Sequence, residues 1–179
     1  MALLDSIMNA TGESTPNYGK KGTYIGRLRR MRLRDPAEPG SNPELKPGFR
    51  VDVDVIHCSR IEKDFNAGDI ATFTDPFKFV GTALARVRRA AASAKSSKTG
   101  TQVSEADFGL SKGEGESDDA FASRVKGEIK RLLGPDQPCN GAVVKIVATE
   151  GKNQKTGSPY TLFDLEVPTE EDLRLAGLI

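Results

Sequence analysis

The stretch FRVDVDV, residues 49–55, decides the fold class because apolar and charged side chains alternate along its whole length. A period of two is typical of a β-strand that has one face in the core and the other in solvent. The pattern therefore predicts a half-buried strand within a sheet. Its apolar positions are Phe49, Val51, Val53 and Val55, and its charged positions are Arg50, Asp52 and Asp54.

Strand patterns also lie on both sides of this stretch. Residues 22–33 are rich in strand-forming side chains, and residues 69–74 form a third short strand. Residues 141–149 and 160–167 are apolar and β-branched, and the polar residues between them predict a hairpin loop. Residues 35–48 hold four prolines and two glycines, so we expect a long loop there. Five strands are predicted.

Two helices are predicted between the third and fourth strands. The first opens at Pro76, and the second follows Ser117, a suitable N-cap, and is closed by Gly134 and Pro135. Residues 93–117 are rich in Ser, Gly and charge, so we expect a flexible connection. The apolar stripes, at three- and four-residue steps, are Phe77, Val80, Leu84, Val87 and Ala91 in the first helix, and Phe121, Val125, Ile129, Leu132 and Leu133 in the second.

Length and composition favour one globular domain. The chain has 179 residues, of which 37% are hydrophobic and 28% are charged, and domains of about 100 to 150 residues are commonest. No apolar run approaches the roughly 20 residues that span a bilayer, and the start of the chain lacks a signal-peptide pattern. We expect a cytoplasmic protein without a membrane partner, in which Cys58 and Cys139 stay reduced.

The formal net charge of +1 conceals blocks of opposite sign. Residues 1–34 hold seven basic side chains against two acidic ones, and residues 76–100 hold six basic side chains and no acid. Residues 101–123 and 164–179 hold six and five carboxylates, each against a single base. The blocks favour a surface that binds an anion and acidic segments that could compete for it, although solvated faces of compensating charge are the simpler interpretation.

Five arginines fall within eight positions of the first strand. Arginines on both faces of a strand must reach solvent or an anion, and a phosphate backbone supplies such an anion. Edge strands also carry basic residues that prevent aggregation, which is the structural alternative. The second basic block favours binding over that alternative. The five residues are Arg27, Arg29, Arg30, Arg32 and Arg34.

The order of three strands, two helices and two strands is that of the five-stranded oligonucleotide-binding (OB) barrel, whose loops and sheet face bind single strands. At this point the sequence resembles the bacteriophage single-stranded DNA-binding proteins that use this fold. Three segments carry the resemblance: GTYIGRLRRMRLR at residues 22–34, GFRVDVDV at 48–55 followed by NAGDIATF at 66–73, and NGAVVKIVATEGKNQKTGSPYTLFDLEV at 140–167.

The resemblance implies an α+β protein, mainly β, with an OB domain at residues 22–167 and a helical insertion at 76–138 that is larger than the fold needs. Residues 1–21 would be a flexible N-terminal arm, and residues 168–179 an acidic tail that replication or recombination proteins could bind. A short C-terminal helix packed on the barrel would explain Leu173, Leu175 and Leu178 equally well. The implied function is sequence-tolerant binding of single-stranded DNA in phage replication or recombination. This function needs no enzymatic activity and would take place in the host cytoplasm.

The predicted DNA-binding residues combine basic side chains with a few aromatic rings, because stacking on bases requires rings. Tyr24 and Tyr160 lie near strand ends, and Phe73 is ambiguous between core and site. The lysines lie on the predicted last hairpin, where a flexible loop could close over a strand. The full set is Tyr24, Arg27, Arg29, Arg30, Arg32, Arg34, Phe73, Lys145, Lys152, Lys155 and Tyr160.

Other functions fit parts of the pattern. A phage protein-interaction or assembly factor could use the basic strand to bind an acidic partner. A metal-dependent nuclease could hold a divalent cation with Asp52 and Asp54, although paired acids on an exposed strand face are usually solvent-facing spacers. We predict no catalytic residue, cofactor or metal. The apolar residues near the N-terminus could form an arm that pairs subunits or could be a frayed end, so a homo-oligomer remains one of the alternatives. These residues are Leu3, Leu4, Ile7 and Met8.

Overall fold

A computed structural model describes residues 17–34, 48–59, 65–76, 80–104, 112–132 and 139–179 of the chain. The order of strands and helices predicted from the sequence is confirmed, and the protein is mainly β with helices, in the α+β class. In chain order, the elements are β1 (Gly22–Arg34), β2 (Gly48–Cys58), β3 (Ile70–Pro76), α1 (Val80–Thr99), α2 (Asp118–Leu132), β4 (Val143–Lys152), β5 (Pro159–Glu166) and α3 (Glu170–Leu175).

The five strands form one antiparallel sheet in the order β3-β2-β1-β4-β5. β1 lies at the centre, and its register with β2 shifts between Leu28 and Arg30, where Arg29 is an extra residue on β1. Because of this bulge, Leu28 and Met31 are both buried although they are three positions apart. The bulge also lets the consecutive residues Arg29 and Arg30 both reach carboxylates of β2.

The core lies on one face of the sheet and contains a group of aromatic rings. The Tyr24 ring stands edge-on to that of Phe65, with 5.4 Å between centroids, and to that of Phe73, with 4.9 Å. All three side chains are at most 2% exposed. The apolar half of the alternation that opened the sequence analysis is confirmed as core, with at most 2% exposure at Phe49, Val51, Val53 and Val55.

The two edge strands of the sheet approach each other. The rings of Phe73 on β3 and Phe163 on β5 have centroids 5.7 Å apart, so the sheet curls until its edges are in side-chain contact. Within the described residues, β3 and β5 are not joined by backbone pairing. The structure therefore shows a curled open sheet, and the closed barrel expected from the sequence is not confirmed.

The segment at residues 17–19 lies along the free edge of β3. Tyr18 forms a parallel bridge with Thr72, and Gly19 donates its N–H to the Thr72 carbonyl at 2.8 Å. Gly19 rests against the Phe73 ring, where a Cβ would collide. This part of the expected flexible arm is thus hydrogen-bonded to the sheet.

Helix α1 lies further along the chain than its sequence pattern indicates, because Pro76, expected to open it, is the last residue of β3 and the helix runs from Val80 to Thr99. The sequence predicts a flexible connection from residue 93, and that prediction is wrong for residues 93–99 because the helix continues to Thr99. Ala94 and Ser96 are buried, and Ser97 donates a hydrogen bond to the Val143 carbonyl of β4. Small side chains let this end of the helix lie close to the sheet, and the resulting contacts outweigh the weak helix preference of serine.

Helix α2 begins where the sequence predicts. Ser117 is its N-cap, since its Oγ accepts a hydrogen bond from the Ala120 N–H at 3.2 Å. Two guanidinium groups, of Arg88 on α1 and Arg124 on α2, each lie 5.5 Å from the centroid of the Phe121 ring. None of the helices in the described ranges is long and apolar enough to cross a membrane.

Helix α3 lies in the segment expected to be an acidic tail. Thr169 and Asp172 form a capping box at its start, and the Asp172 carboxylate also contacts Lys145 Nζ on β4 at 3.0 Å.

Some expectations fall outside the described residues. They are those on residues 1–16, the loop at 35–47, Phe77, Leu133, Gly134 and Pro135, and the side chains of Arg34, Val80, Leu84, Val125, Ile129 and Leu132.

Candidate nucleic-acid interface

The outer face of β1, β2 and β3, on the side away from the core, gathers arginines around one carboxylate. Asp52 on β2 accepts hydrogen bonds from Arg30 Nε at 2.5 Å and Arg50 Nε at 2.9 Å. Arg32 Nη2 lies 3.5 Å from the Oδ2 atom of the same carboxylate. Thr72 on β3 donates its hydroxyl to Asp52 Oδ1 at 2.7 Å. We call Arg30, Arg32, Arg50 and Asp52 the arginine cluster.

Strand register brings the arginine cluster together. Arg30 lies opposite Asp52 and Arg32 opposite Arg50 in the pairing of β1 with β2. Asp52 in turn lies opposite Thr72 in the pairing of β2 with β3. Residues opposite each other on one face have Cβ atoms about 5 Å apart, and like charges in such pairs repel. The carboxylate between the three strands compensates for that repulsion.

Asp52 is buried, with 1% of its surface exposed, so the interpretation of this position as a solvent-facing spacer is wrong. Arginine side chains from two strands surround the carboxylate. Burial opposes ionisation of Asp52, but the hydrogen bonds from Arg30, Thr72 and Arg50 outweigh it, and the pKa of Asp52 lies below its ordinary value. The carboxylate is charged at neutral pH and neutralises one of the three guanidinium charges beside it.

The remaining arginines of the first strand lie closer to solvent. Arg29 donates a hydrogen bond to Asp54 at 3.0 Å, and both side chains are about half exposed, so this pair contributes little to stability. Arg27 is exposed. Among the described side chains, positive charge predominates on the outer face, where two carboxylates, Asp52 and Asp54, stand among five arginines: Arg27, Arg29, Arg30, Arg32 and Arg50.

A cleft of ≈ 260 Å³ opens where β3 and β5 approach each other. Tyr18 and Tyr160 line it and are 55% and 43% exposed, whereas Phe73 and Phe163 line it with rings that are almost fully buried. We call this the tyrosine cleft. An exposed tyrosine offers a flat apolar surface with little rotational freedom to lose, which suits stacking on a planar ligand such as a nucleobase.

A glycine on the neighbouring strand positions Tyr160. Gly151 on β4 lies directly opposite Tyr160 on β5. A Cβ built on Gly151 would come within 2.6 Å of Tyr160 Cζ, so the ring lies over the glycine backbone. A side chain at position 151 would displace the ring from this place at the cleft.

The arginine cluster and the tyrosine cleft meet at Thr72. The Thr72 hydroxyl bonds to Asp52, its backbone bonds to the segment that carries Tyr18, and it lines the cleft itself. Thr72 therefore connects the two sites, and a ligand with an anionic group and a planar group could contact both. A nucleic-acid strand carries a phosphate and a base on every nucleotide.

Two of the aromatic residues predicted to bind DNA are buried. Tyr24 is fully buried, and its hydroxyl donates to the Lys20 carbonyl at 2.8 Å, so the expectation that it stacks on a base is wrong. Phe73 is 2% exposed and lines the tyrosine cleft instead of offering a free ring. Both residues occupy core-facing positions of their strands, and their two rings contact each other in the core.

The predicted lysines separate into two environments. Lys145 lies within β4, the first strand of the hairpin, and it is half-buried and paired with Asp172. Lys152 ends β4 and Lys155 lies in the turn that follows, and both are exposed. These two lysines and Tyr160 lie on the hairpin, as the sequence indicates.

Three residues of the site are missed by the sequence reasoning: Tyr18, Arg50 and Thr72. Arg50 had a usable signal, because it stands two positions from Asp52 in the alternating stretch and so shares its face. Tyr18 and Thr72 had none, since nothing local indicates that residues 17–19 lie beside a strand more than 50 positions further along the chain.

A larger groove of ≈ 400 Å³ lies between α1 and β5. Arg86 and Arg89 line it, and Arg86 contacts two acids, Asp75 at 3.1 Å and Asp164. Burial raises the pKa of Asp75, although Arg86 opposes the shift. Because Arg86 is paired with two carboxylates, it keeps less positive charge for a polyanion than Arg32, which makes no hydrogen bond to Asp52.

Within the described ranges, no group of three His, Cys, Asp or Glu side chains is arranged to hold a metal ion. The two acids considered for a nuclease site, Asp52 and Asp54, contact arginines. No protein-family model matches the chain, and no curated protein is significantly similar to it.

Proposed function

We propose that the protein binds single-stranded DNA, with little sequence preference, across the arginine cluster and the tyrosine cleft. The observation that supports this most directly is the adjacency of the two sites at Thr72. A single strand offers a phosphate and an unstacked base at every nucleotide, which are the two groups that these sites suit. A duplex offers phosphates but keeps its bases stacked.

Binding would begin with electrostatic capture. Each phosphate that an arginine neutralises releases condensed counterions, so the affinity should fall steeply as the salt concentration rises. Stacking on Tyr18 and Tyr160 would follow and contribute about 1 to 3 kcal/mol per base. Lys152 and Lys155, on the exposed β4–β5 turn, would contact the backbone of the bound strand. These steps make and break no covalent bond, so we propose a binding protein and not an enzyme.

The sheet supports a more specific proposal about the fold. β1 lies between β2 and β4, β3 and β5 touch at their edges, and α1 and α2 connect β3 to β4. This is the strand order that an OB barrel would have if its edges closed. We propose such a barrel, and with it a role in phage DNA replication or recombination in the host cytoplasm.

Fluorescence anisotropy with a labelled oligo(dT) tests the function. We expect tight binding at low salt, a steep loss of affinity with added salt, and weaker binding to a duplex of the same length. The double variant Tyr18→Ala, Tyr160→Ala should weaken binding about tenfold or more, because two stacking platforms are lost. The control is Leu175→Ala, which removes an exposed side chain from α3 and should bind like the wild type.

The rival proposal is an assembly factor that binds an acidic protein partner through the same basic face. The ion pair of Arg29 with Asp54 favours it, since the face already accepts carboxylates. Competition by poly-glutamate distinguishes the two functions. If poly-glutamate displaces oligo(dT) at equal charge concentration, and the tyrosine variants bind oligo(dT) as the wild type does, the assembly factor is the better proposal.

A further inference from the structure

We infer that Arg30, Arg32 and Arg50 form a discrete binding site for a phosphate group, and that Asp52 is the positioning residue that assembles it. This inference deepens the proposed function and rests on it for the source of the phosphate, which would be the DNA backbone. The site itself is argued from the hydrogen bonds, charge and geometry of the arginine cluster.

The carboxylate of Asp52 makes hydrogen bonds to two of the three arginines of the cluster. Its Oδ2 atom accepts from Arg30 Nε, and its Oδ1 atom accepts from both Arg50 Nε and the Thr72 hydroxyl. The Nη2 atom of Arg32 lies 3.5 Å from Oδ2 but makes no hydrogen bond there. Arg32 is therefore attracted to the carboxylate without being bound by it.

Two nitrogen atoms of the Arg32 guanidinium group donate no hydrogen bond to the described part of the chain. Its Nε and Nη2 atoms are shielded from solvent and find no hydrogen-bond acceptor in the described part of the chain, while its side chain as a whole is 41% exposed. Shielded donors without an acceptor are unfavourable. A turn of the guanidinium plane towards an anion on the solvent side would give these donors acceptors. Binding of an anion would thus relieve an unfavourable feature of the free protein.

The charge and shape of the cluster favour phosphate over a carboxylate. Within the described residues, one carboxylate faces three guanidinium groups, so positive charge remains at the cluster. A phosphate group has oxygens in tetrahedral directions, so it can accept from arginines that approach from two strands at once. A carboxylate has two oxygens in one plane, so it offers acceptors in fewer directions than a phosphate does.

Asp52 makes this concentration of charge stable. Without it, Arg32 and Arg50 would be like charges directly opposite each other in the β1–β2 register. Its hydrogen bonds fix Arg30 and Arg50 by their Nε atoms, and Thr72 fixes the carboxylate in turn. Asp52 need not touch the phosphate to do this.

Nuclear magnetic resonance of the full chain tests the site directly. The protein is labelled with ¹⁵N-arginine, and the Nε–Hε signals are assigned through Arg30→Lys, Arg32→Lys and Arg50→Lys. The ligand is inorganic phosphate, titrated against chloride at equal ionic strength. We expect the three cluster signals to shift together and to saturate, while the signal of Arg174 on α3 does not move.

The matched pair Arg32→Lys and Arg174→Lys gives the quantitative test, since both variants keep the charge and lose the fork. Arg32→Lys should weaken phosphate binding about tenfold, the effect of losing charge-assisted hydrogen bonds, and Arg174→Lys should leave it unchanged. Equal affinities in the two variants, or cluster signals that move no more than that of Arg174, would overturn the site.

Asp52→Asn separates positioning from simple electrostatics. Removing one negative charge should by itself tighten the binding of an anion, whereas loss of positioning should weaken it. We expect weaker phosphate binding and a spread of the cluster signals, with folding checked by circular dichroism. Tighter binding would overturn the role of Asp52. If this variant does not fold, the Arg32→Lys comparison still decides the site.

Two further ligands distinguish failure of the site from failure of the function. An abasic deoxyribose-phosphate oligomer should shift the same three signals as inorganic phosphate, because it carries the backbone alone. If oligo(dT) binds but neither phosphate nor the abasic oligomer shifts the cluster, the site is wrong and the proposed function stands. If phosphate saturates the cluster but oligo(dT) does not bind, the site stands and its assignment to DNA is wrong.

Discussion

Asp52 and Asp172 are two buried carboxylates that each bind basic side chains projecting from the sheet, and they differ in how many they bind. The pKa of each lies below its ordinary value, because hydrogen bonds outweigh the effect of burial. Asp52 stands among three guanidinium groups, whereas Asp172 binds the single ammonium group of Lys145. The first arrangement leaves positive charge for a ligand, and the second leaves none.

The difference in number implies a difference in role. The pair of Lys145 and Asp172 is balanced, and Asp172 also caps α3 by accepting from the Thr169 N–H at 2.8 Å, so the pair holds a terminal helix against β4. The arginine cluster joins three strands and keeps an excess of charge. We therefore expect changes at Asp52 to affect the whole fold and its ligand, and changes at Asp172 to affect the C-terminal helix.

The largest expected effect is on stability. Asp52→Ala should lower the free energy of unfolding by about 2 to 3 kcal/mol, somewhat less than for a fully buried pair because the arginines are partly exposed. Asp172→Ala should lower it by about 1 kcal/mol or less. Equilibrium unfolding in urea at neutral pH measures both. Equal losses would contradict the distinction between a cluster that supports the sheet and a pair that docks a helix.

Lowering the pH should remove the contribution that the ionised Asp52 makes to the stability of the fold. Since its pKa in the folded protein is below the ordinary value of 3.8, the stability that it contributes is fully present above that value and is lost as the pH falls through the folded pKa. Asp52→Asn should therefore be less stable than the wild type at pH 7, and the two should converge below pH 3.8. Urea unfolding across this range checks the trend, and a difference that stays constant with pH would contradict it.

Local patterns predicted the elements of this fold better than its site. The alternation at residues 49–55 and the cap at Ser117 depend on neighbours in sequence, and both are confirmed. Burial of Asp52 depends on arginines from another strand, so the pattern of its own strand could not indicate it. The extension of α1 through Ser96 depends on contact with β4, which composition does not record.

The aromatic residues show the same limit. Tyr24 and Tyr160 have similar surroundings in sequence, yet one is fully buried and the other is 43% exposed. The β1–β2 register shifts twice, once with an extra residue on β2 and once with an extra residue on β1, and such shifts change which residues face the core. They are visible only in the pairing of the two strands. Tyr18 becomes part of a site only because its segment pairs with β3.

The smallest expected effect is on the salt dependence of DNA binding, which compares Lys145 of the balanced pair with Arg32 of the arginine cluster. If Lys145 is neutralised by Asp172, Lys145→Ala should leave the salt dependence of oligo(dT) binding unchanged, whereas Arg32→Ala should reduce the slope of log Kd against log salt by about 1. Anisotropy titrations at several salt concentrations give both slopes. A reduced slope for Lys145→Ala would mean that its pair with Asp172 opens when DNA binds, so that α3 leaves β4 and exposes the lysine. The slope thus reports whether the balanced pair stays closed in the complex.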